Sequence, residues 1–414
     1  MRVLLVTDYF YPQSSGGTEK YVHELAQGLR ADGIDVIILT INESSTIYQF
    51  DDFEVHTIPP NTDNRKEVIA GITSANNLQS FIDKLSELKA DIVHFHTLTT
   101  SISIYHYQAA KQTGAKVIFT SHIPGNTCLR GDLMRYGQEI CDGKVRLNTC
   151  LSCYLNAQGV PKAISPLAAK AMRILKQPPL LSQASAIKKD YLEKIKAVCS
   201  TVVTMSNWQQ DVFLMNCFNP DQLALSRHIF KQISDHQEVE NRGHITIGFA
   251  GRISPEKGLH ILIDAFKQLD TTRFNLLIAA IKVPSQERYL ENLLSETKDF
   301  HNIKWSYNYT ANNIVSFYNE LNVLCIPSVC NETGPYVMFE SVARHIPVIA
   351  SNLGGMREWA ELNYPVITYE FNNVDALFTL LNNFSEAAFA HYNYPSQKSI
   401  TDLAADMLTV YNEY

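Results

Sequence analysis

Two cations in the second half of the chain are spaced to bind an anion. Arg252 and Lys257 follow Gly251 and an apolar, strand-like run, and they precede a helix-like repeat of apolar residues. Ser254 is a favourable N-cap and Pro255 suits a first helical position, so we expect a helix to begin here. A helix N-terminus, a guanidinium and an ammonium all attract phosphate oxygens. The segment therefore predicts a diphosphate site, although two surface cations would give the same spacing.

Two carboxylates flank a glycine-containing turn further along the chain. Glu332 lies in the turn, where it could accept hydrogen bonds from sugar hydroxyls. Glu340 falls about one turn into the helix that follows, where it could accept from ribose hydroxyls. The backbone N–H groups of Gly334, Tyr336 and Val337 could face phosphate. A helix-start acid and an unrelated surface acid are the simpler alternative, because one spacing alone is weak evidence.

Four of the eight cysteines fall within 26 residues and could bind a metal ion. Their spacing is C-x12-C-x8-C-x2-C, from Cys128 through Cys141 and Cys150 to Cys153. The close pair is a common half of a tetrahedral zinc site, and four thiolates would leave no open position for catalysis. The surrounding loop is also too long to lack internal order in a compact domain. Four reduced thiols packed in a small core fit the pattern equally well.

A pair of histidines lies at the end of another apolar run. His94 and His96 stand at i and i+2 on a predicted strand, so both side chains face the same side of the sheet. Histidine is also a common metal ligand. We favour the interpretation that the pair lines a ligand-binding cleft at the strand end over the metal interpretation.

Hydrophobic periodicity places these residues in two α/β units. Each unit opens with a strand, a glycine-bearing loop and a helix, which is the pattern of a parallel sheet. In the first unit the helical repeat runs from Val22 to Leu29, and a last helix is predicted over residues 401–411. Ligand sites in such sheets lie at the carboxyl ends of the strands. Strand-like runs occupy residues 2–7, 36–39, 91–96, 117–120, 202–205, 245–250, 274–280, 323–326 and 347–350.

Composition describes an ordinary globular protein with no sign of a nucleic-acid partner. The 414 residues are 45% hydrophobic and 19% charged, with a net charge of −7, and no run is long enough to cross a bilayer. The first apolar run is too short for a signal peptide, so we expect a cytoplasmic protein. Residues 161–197 carry eight basic and two acidic side chains. This basic segment is a solvated helical surface in the simpler interpretation, or a patch that rests on anionic lipid.

Taken in order, these motifs are similar to those of the retaining family 4 glycosyltransferases. The shared pattern is a strand followed by Gly-Arg and Lys-Gly, then Pro-Ser-x3-Glu-x7-Glu, then Pro-Val-Ile-Ala-Ser with glycines at 354–355 and Glu358. It covers nearly the whole chain and is densest in residues 1–40, 91–122 and 245–360. The resemblance implies the α/β GT-B fold, in which two Rossmann-like domains face each other across a cleft.

The resemblance also implies where the two domains lie along the chain. An N-terminal acceptor-side domain would cover residues 1–232, including a cysteine-rich loop at 123–160. A donor-binding domain would cover residues 243–397, after a polar stretch of linker composition. The C-terminal helix, residues 398–414, is expected to pack back onto the first domain.

Site residues follow from the resemblance one by one. Gly16 and Gly17 match first-loop glycines that let the backbone approach the donor phosphates and the acceptor. His122 matches an active-site histidine that bonds the transferred sugar, expected at its 6-hydroxyl. The donor site would use Arg252 and Lys257 on the diphosphate, Glu332 on the sugar's 3- and 4-hydroxyls, Glu340 on the ribose, and Gly251, Gly334, Pro335, Tyr336 and Val337 along the nucleotide.

The chemistry implied by the resemblance is transfer of a sugar from a nucleotide-diphosphate sugar to a glycan or lipid-linked acceptor. It would serve the synthesis of cell-surface polysaccharide or glycolipid. Configuration at the anomeric carbon would be retained by front-face attack, with a donor phosphate oxygen taking the acceptor's proton. Catalysis would need no cofactor and no Mg²⁺, because fixed cations would stabilise the departing diphosphate.

Two alternatives use the same scaffold. A nucleotide-sugar 2-epimerase would need an acid/base pair around the sugar C2, which the sequence does not identify. A non-catalytic partner subunit would not need the complete set of predicted donor-site cations and acids. A nicotinamide dehydrogenase is disfavoured, because no G-x-G-x-x-G follows the first strand of either domain.

Three positions depart from the family pattern. His345 stands where the family usually has a small residue, often glycine. Ser306 stands where a glycine often precedes the base-contacting segment around Tyr307. Residues 227–230 also lack an expected glycine. These departures leave the base and the sugar of the donor open.

Overall fold

The described part of the chain divides into two units, each built around its own sheet. The computed structural model describes residues 1–14, 16–228, 243–307, 309, 314–389, 391–392, 394 and 399–412. Unit 1 consists of Met1–His228 and Ile400–Tyr414, and unit 2 of Ile229–Ser399. The polar stretch between the predicted domains lies outside the described residues, apart from Gly243.

The main sheet of unit 1 is parallel except at one edge. Strands described in this unit are β1 (Arg2–Val6), β2 (Asp35–Ile41), β3 (Ile47–Phe50), β4 (Phe53–Ile58), β5 (Ile92–Phe95), β6 (Lys116–Thr120), β7 (Met134–Arg135), β8 (Glu139–Ile140), β9 (Thr201–Thr204) and β10 (Leu223–Leu225). The sheet order is β10–β9–β6–β5–β1–β2–β4–β3, and β3 is antiparallel to β4. Val3 to Val6 are fully buried, because helices cover both faces of the central strands. The short strands β7 and β8 form a separate ribbon.

Helices of unit 1 pack on the sheet through amphipathic faces. The predicted repeat lies in the first helix, where Val22 and Leu29 are fully buried. The helices described are α1 (Gly17–Ala31), α2 (Lys66–Ile69), α3 (Leu78–Leu88), α4 (Ile104–Gln112), α5 (Leu147–Ala157), α6 (Ser165–Leu175), α7 (Pro179–Val198) and α8 (Asn207–Met215).

Unit 2 contains a second parallel sheet. Its described strands are β11 (Ile245–Arg252), β12 (Phe274–Ile281), β13 (Ile303–Ser306), β14 (Val323–Ile326), β15 (Val348–Ser351) and β16 (Val366–Tyr369), in the order β13–β12–β11–β14–β15–β16. Its described helices are α9 (Leu259–Phe266), α10 (Glu287–Thr297), α11 (Ile314–Tyr318), α12 (Tyr336–Val342), α13 (Gly354–Glu361) and α14 (Val374–Asn382).

The last helix, α15 (Ile400–Asn412), belongs to unit 1. It packs against α1 at Gly28, where an added Cβ atom would lie 2.4 Å from the carbonyl oxygen of Ile400 and 2.8 Å from Cβ of Ala404. Gly28 therefore permits a contact that any larger residue would block. Lys116 Nζ donates to the carbonyl oxygen of Val410 at 2.7 Å, which ties the end of α15 to β6.

The predicted fold class is confirmed: both units are Rossmann-like α/β domains with parallel sheets. Each of the nine strand-like runs coincides with a strand to within one or two residues. The pattern missed β3, β4, β7, β8, β10, β13 and β16, which are short, lie toward sheet edges or carry more polar residues. Among the helices described, none is both long and apolar enough to span a bilayer.

Candidate functional site

A close backbone contact shapes the loop that follows β11. Pro255–Lys257 form one turn of 3₁₀ helix, and α9 begins only at Leu259. Between them Gly258 has a φ of +70°, and a Cβ atom there would lie 1.8 Å from the carbonyl oxygen of Pro327. Glycine is therefore required, because any side chain would collide with the backbone that follows β14.

The prediction that a helix begins at Ser254 is wrong. The Ser254 side chain caps no backbone N–H group, and within the described residues its buried hydroxyl has no hydrogen-bond partner. The Ser-Pro signal is used instead to start the 3₁₀ turn, and the left-handed Gly258 separates that turn from the true helix. Arg252 therefore ends β11 and Lys257 ends the 3₁₀ turn, so neither cation lies on α9.

Lys257 forms an ion pair with Glu332, which lies in the loop after β14. Lys257 Nζ lies 2.7 Å from Glu332 Oε2, and the two side chains are 21% and 12% exposed. The Ser328 hydroxyl donates to the second carboxylate oxygen. Burial alone raises the pKa of Glu332, but Lys257 outweighs it and holds that pKa below its usual value. Burial alone lowers the pKa of Lys257, and Glu332 reverses the effect and raises it. Both groups are therefore charged at neutral pH.

The structure thus brings together two residues for which separate ligands were predicted. Arg252, the last residue of β11, is exposed and lies near enough to add to the lowering of the Glu332 pKa. Two cations and one carboxylate therefore meet at the carboxyl end of the central strand, where parallel sheets bind ligands.

Three hydrogen bonds hold the loop that carries Glu332. The Gly355 N–H donates to the Glu332 carbonyl oxygen at 2.7 Å. The Ser351 hydroxyl donates to the Ser328 carbonyl oxygen at 2.6 Å, and the Val329 N–H donates to the Glu256 carbonyl oxygen at 2.9 Å. The loops after β11, β14 and β15 are thereby joined into one surface.

Glu340 lies on α12, about one turn from its start, as predicted. The buried Tyr318 hydroxyl donates to Glu340 Oε2 at 2.8 Å. Arg344 donates to the Glu340 carbonyl oxygen at 2.8 Å, and its guanidinium lies 4.6 Å from the centre of the Tyr318 ring. Burial and the neighbouring carboxylate raise the pKa of Tyr318 well above its ordinary value, so the phenol stays protonated and donating.

The remaining predicted donor-site residues lie in two segments of unit 2. Gly251 is the next-to-last residue of β11. Gly334 and Pro335 precede α12, and Tyr336 and Val337 form its first turn. Along the chain these residues adjoin Arg252 and Glu332. Their contacts with a nucleotide stay a prediction.

Sequence reasoning missed Lys282. This residue follows β12 directly, and its Nζ lies 4.5 Å from the centre of the Tyr307 ring. Tyr307 is 37% exposed and stacks against Trp305 with 6.4 Å between ring centres. Because Ile281 pairs with Arg252, Lys282 lies at the same sheet edge as the ion pair. A cation immediately after a strand was the signal that could have found it.

In unit 1, His122 follows β6 and contacts two aromatic side chains. His122 Nε2 lies 3.1 Å from Nδ1 of His96, and the Tyr21 ring meets the His122 ring edge-on at 5.0 Å. Burial lowers the pKa of His122 well below its ordinary value, and the neighbouring His228 and His94 lower it further. His122 is therefore neutral at physiological pH.

The contact with His96 assigns the tautomer of His122. His96 Nε2 is buried and has no hydrogen-bond partner within the described residues. An unpaired buried N–H costs more than an unpaired acceptor, so the proton of His96 belongs on Nδ1. His96 then donates to His122 Nε2, which leaves the proton of His122 on Nδ1.

His94 corrects the prediction that both strand-end histidines line a cleft. Its side chain is completely buried, with Nδ1 2.8 Å from the Tyr411 hydroxyl and Nε2 2.7 Å from the Thr120 hydroxyl. The rings of His94 and His96 do share one side of the sheet, with centres 4.1 Å apart. Burial lowers the pKa of His94 to about 3, so this residue is a neutral part of the core.

The predicted first-loop glycines lie at the start of α1. Gly16 precedes the helix and Gly17 is its first residue. Nearby, at the carboxyl end of β1, sequence reasoning missed Asp8, which accepts a hydrogen bond from the Thr99 hydroxyl at 3.1 Å. Burial raises the pKa of Asp8 to about 6, and Glu19 adds to the rise. An acid with this pKa is a candidate ligand for hydroxyl groups.

The four clustered cysteines line a single small cavity in unit 1. Burial raises the pKa of Cys141 and Cys153, and that of Cys150 to about 11, and Cys128 raises each of them further. All four thiols are free. In the part of the chain that the structure describes, no group of three or more His, Cys, Asp or Glu side chains is placed to hold a metal ion, so the predicted zinc site is not formed there.

Comparison with protein families gives one match for each unit. Residues 15–143 match the model described as Glycosyltransferase Family 4. Residues 230–399 match the model described as Glycosyl transferases group 1. The second match contains the Lys257–Glu332 pair, and the first contains His122 and two of the four clustered cysteines, Cys128 and Cys141.

Similar proteins and structures are also glycosyltransferases. A lipopolysaccharide 1,2-N-acetylglucosaminetransferase of Salmonella typhimurium is 30% identical over 118 residues, which are 27% of this chain and 31% of that protein. An uncharacterized glycosyltransferase of Methanocaldococcus jannaschii is 21% identical over 90% of this chain and 84% of its own. The crystal structure of Anabaena HepE in complex with UDP and glucose has a TM-score of 0.67 at 13% identity, with both chains fully covered. That likeness shows the fold.

Proposed function

Since the chain belongs to the GT-B glycosyltransferases, we propose that it is a retaining enzyme whose donor is a nucleotide-diphosphate sugar. The observation that carries the proposal is the ion pair of Lys257 and Glu332, with Arg252 beside it, at the carboxyl edge of the unit 2 sheet. The match to a lipopolysaccharide transferase supports a glycan or lipid-linked acceptor.

The ion pair is suited to exchange its internal partner for a substrate. In the structure each charge neutralises the other, which avoids leaving a single charge in a mostly buried loop. A diphosphate would take over Lys257, and sugar hydroxyls would donate to Glu332. Lys257 would again have an anionic partner, and Glu332 would again accept from hydrogen-bond donors.

Leaving-group stabilisation follows from the two cations. As the bond between the anomeric carbon and the phosphate oxygen breaks, negative charge grows on the diphosphate. Lys257 is held in place by Glu332, and Arg252 and Lys257 would interact more strongly with that charge than with the ground state. A divalent metal ion would be redundant in this role, so we propose metal-independent transfer. The acceptor oxygen bonds to the same face of the anomeric carbon, and its proton passes to a phosphate oxygen.

His122 would orient the transferred sugar. Because its pKa is depressed, the ring is neutral and would contact the sugar without adding charge. In unit 2, the Tyr307 side chain is 37% exposed beside Lys282, and an accessible aromatic side chain of this kind suits a nucleotide base. Glu340, held by Tyr318, would accept from the ribose.

The proposal is tested by measuring nucleoside-diphosphate release from a panel of nucleotide sugars in the presence of excess chelator. We expect one donor to react, and we expect Lys257→Ala and Glu332→Gln each to lower kcat by about 100-fold or more. Lys267→Ala is the matched control, because it removes an ion pair with Glu296 on the surface. Unchanged turnover in both site variants, or activity that needs an added metal, would contradict the proposal. NMR of the product distinguishes retention, inversion and C2 epimerisation.

We also propose that unit 1 rests on an anionic membrane surface through α6. On α7, Lys194 is paired with Asp190 and Lys196 with Glu193, which lowers the net positive charge of that helix. The solvent-exposed face of α6 is apolar. The basic residues Lys170, Arg173 and Lys176 flank it. Large exposed apolar side chains lie at Ile164 (54%), Leu167 (72%), Ile174 (69%) and Leu175 (69%). Such a face inserts at a lipid headgroup boundary.

Vesicle co-sedimentation tests the membrane contact. Binding should be strong to vesicles with phosphatidylglycerol and weak to phosphatidylcholine alone, because basic residues add to the apolar contact. Leu167→Gln with Ile174→Gln should weaken binding by about tenfold or more, whereas Leu214→Gln, on α8 of the same unit, should not. Equal binding by the double variant would show that α6 is not the contact surface and would remove the proposal.

A further inference from the structure

A cavity in unit 1, which we call the α7 cavity, is large enough for an organic ligand. Its volume is about 540 Å³, and pockets that bind small molecules have volumes of about 300–1,000 Å³. It is lined by α2 and the residues that follow it, by the loop after β5, by α7, and by Leu129 and Tyr154. All of these residues belong to unit 1, and no step proposed so far uses the cavity.

One wall of the α7 cavity is an apolar face of that helix. The side chains that form it are Leu180, Leu181, Ala184, Ile187 and Tyr191. Residues three and four positions apart lie on the same side of a helix, so these side chains make one continuous surface. A ligand that covers this wall must itself have an apolar part, because a polar group there would lose its contacts with water.

The charges in the lining are cationic. Lys66 and Lys188 line the α7 cavity together with no acidic side chain, and among the described residues neither lysine forms an ion pair. Lys188 Nζ donates to the carbonyl oxygens of Gly125 at 2.9 Å and Asn126 at 3.5 Å. Burial lowers the pKa of Lys188. An anion would therefore stabilise the charged ammonium, which has a third N–H to donate.

The α7 cavity reaches the carboxyl edge of the unit 1 sheet. Leu98, Thr99 and Thr100 lie in the loop after β5 and contribute to its lining. The Thr99 hydroxyl donates to Oδ1 of Asp8, which follows β1, at 3.1 Å. Parallel sheets bind their ligands at this edge. A molecule in the cavity would therefore present one end to the loops that follow β1 and β5.

An exposed apolar residue stands at the rim of the α7 cavity. Ile69 lines the cavity and is 57% exposed, and the nearby Ile72 is 39% exposed. Leu181 and Ala184 of the apolar wall also pack on the small core that contains Ala169 of α6. The wall is thus continuous with the helix for which we proposed a lipid contact. An apolar chain too long for the cavity can therefore continue past its rim into lipid.

We propose, on the basis of the transferase function proposed above, that the α7 cavity binds the acceptor and that this acceptor is linked to a lipid phosphate. The apolar chain lies against the α7 wall, and Lys188 and Lys66 hold the phosphate. A free glycan would leave the apolar wall without a partner, and an uncharged lipid would leave the two lysines without one. An amphiphile with a phosphate group satisfies both.

Calorimetric titration of the full-length protein with decyl phosphate, below its micelle concentration and without a nucleotide sugar, tests the site. Decyl phosphate should bind at least about tenfold more tightly than inorganic phosphate or decanol, because the chain and the phosphate each contribute. Lys188→Gln should weaken this binding by about tenfold, and Lys189→Gln, at the adjacent exposed position, is its control. Ala70→Trp should fill the cavity and weaken binding by about tenfold or more, and Ala163→Trp, exposed and outside the lining, is its control.

Three results would overturn the proposed acceptor site. The first is an affinity for decanol or inorganic phosphate equal to that for decyl phosphate. The second is undiminished binding by both Lys188→Gln and Ala70→Trp. The third is loss of binding in Lys257→Ala, which would place the phosphate at the donor loops of unit 2. No sugar is transferred in this experiment, so an inactive enzyme leaves the readout unchanged and failure of the proposed function stays distinguishable.

Discussion

Gly258 lies against the carbonyl group of Pro327 so closely that no side chain can stand between them. This contact joins the loop after β11 to the loop after β14, and the two loops carry Lys257 and Glu332. The ion pair on which the proposed donor site depends therefore requires glycine, which has no Cβ atom, at position 258.

Gly258→Ala is expected to destabilise unit 2 by about 2–4 kcal/mol, because the new Cβ atom would overlap the Pro327 carbonyl at a positive φ. Gly33→Ala is the matched control. Gly33 also has a positive φ, of +77°, but nothing lies within 4 Å of its Cβ position, so its cost should be only about 1 kcal/mol. Urea unfolding measures both, and equal losses would show that the backbone contact is unimportant.

Lys257→Met should cost about 3 kcal/mol near neutral pH, because it leaves the carboxylate of Glu332 buried without its cation. The double variant Lys257→Met, Glu332→Met should cost less, since both charges are removed. Unfolding free energies of the four proteins in this cycle measure the coupling. Additive losses would mean that the 2.7 Å contact contributes no coupling energy.

The same pair gives a pH dependence with a defined sign. Because the folded pKa of Glu332 is lowered, its stabilising contribution is complete above the unfolded value of 4.5 and is lost as pH falls through the folded value. In Lys257→Met this loss should disappear, because burial then raises the Glu332 pKa. The difference in unfolding free energy between wild type and variant should therefore shrink in acid, and a constant difference would contradict the assignment.

Asp8 should show the opposite dependence. Its folded pKa is raised to about 6, so its contribution to stability is present below the unfolded value of 3.8 and is lost as pH rises through about 6. Asp8→Asn should therefore raise the unfolding free energy at about pH 8 by about 1–3 kcal/mol and change little at about pH 3. Asp83→Asn, at an exposed position of α3, is the control. A flat difference across this range would show that Asp8 is not buried as described.

His345 adopts the left-handed conformation, with a φ of +59°, where the family pattern usually has glycine. His345→Gly should remove that strain, and His345→Ala should not. We expect the glycine variant to exceed the alanine variant in unfolding free energy by about 1 kcal/mol. The comparison cancels the loss of the ring contact with Tyr394, whose centre lies 4.6 Å from that of His345. Equal stabilities would mean that the strain is absorbed elsewhere.

Strands and the helical position of Glu340 were predictable because they depend on local pattern. Continuous apolar runs identify strands buried on both faces, and a fixed spacing after Pro335 places Glu340 one turn into α12. The start of α9 was not predictable from Ser254, because the left-handed Gly258 and its distant neighbour Pro327 decide it. Such contacts join residues that are far apart in the sequence, so a local pattern does not reveal them.

The burial of single polar residues also could not be predicted from the sequence. The pattern placed His94 at a strand end, where a polar side chain is typical of a ligand site. Its actual partner is Tyr411 on α15, and no local spacing reveals that contact. Asp8 was overlooked for a similar reason, because its environment is set by Thr99 and Glu19 in other segments.

The return of α15 to unit 1 affects how the chain is made. His94 and Tyr411 are 317 positions apart, and the whole of unit 2 is translated between them. Unit 2 is therefore synthesised before the N-terminal core can receive α15 at Gly28. Until then the surface of α1 that α15 covers stays open in nascent unit 1.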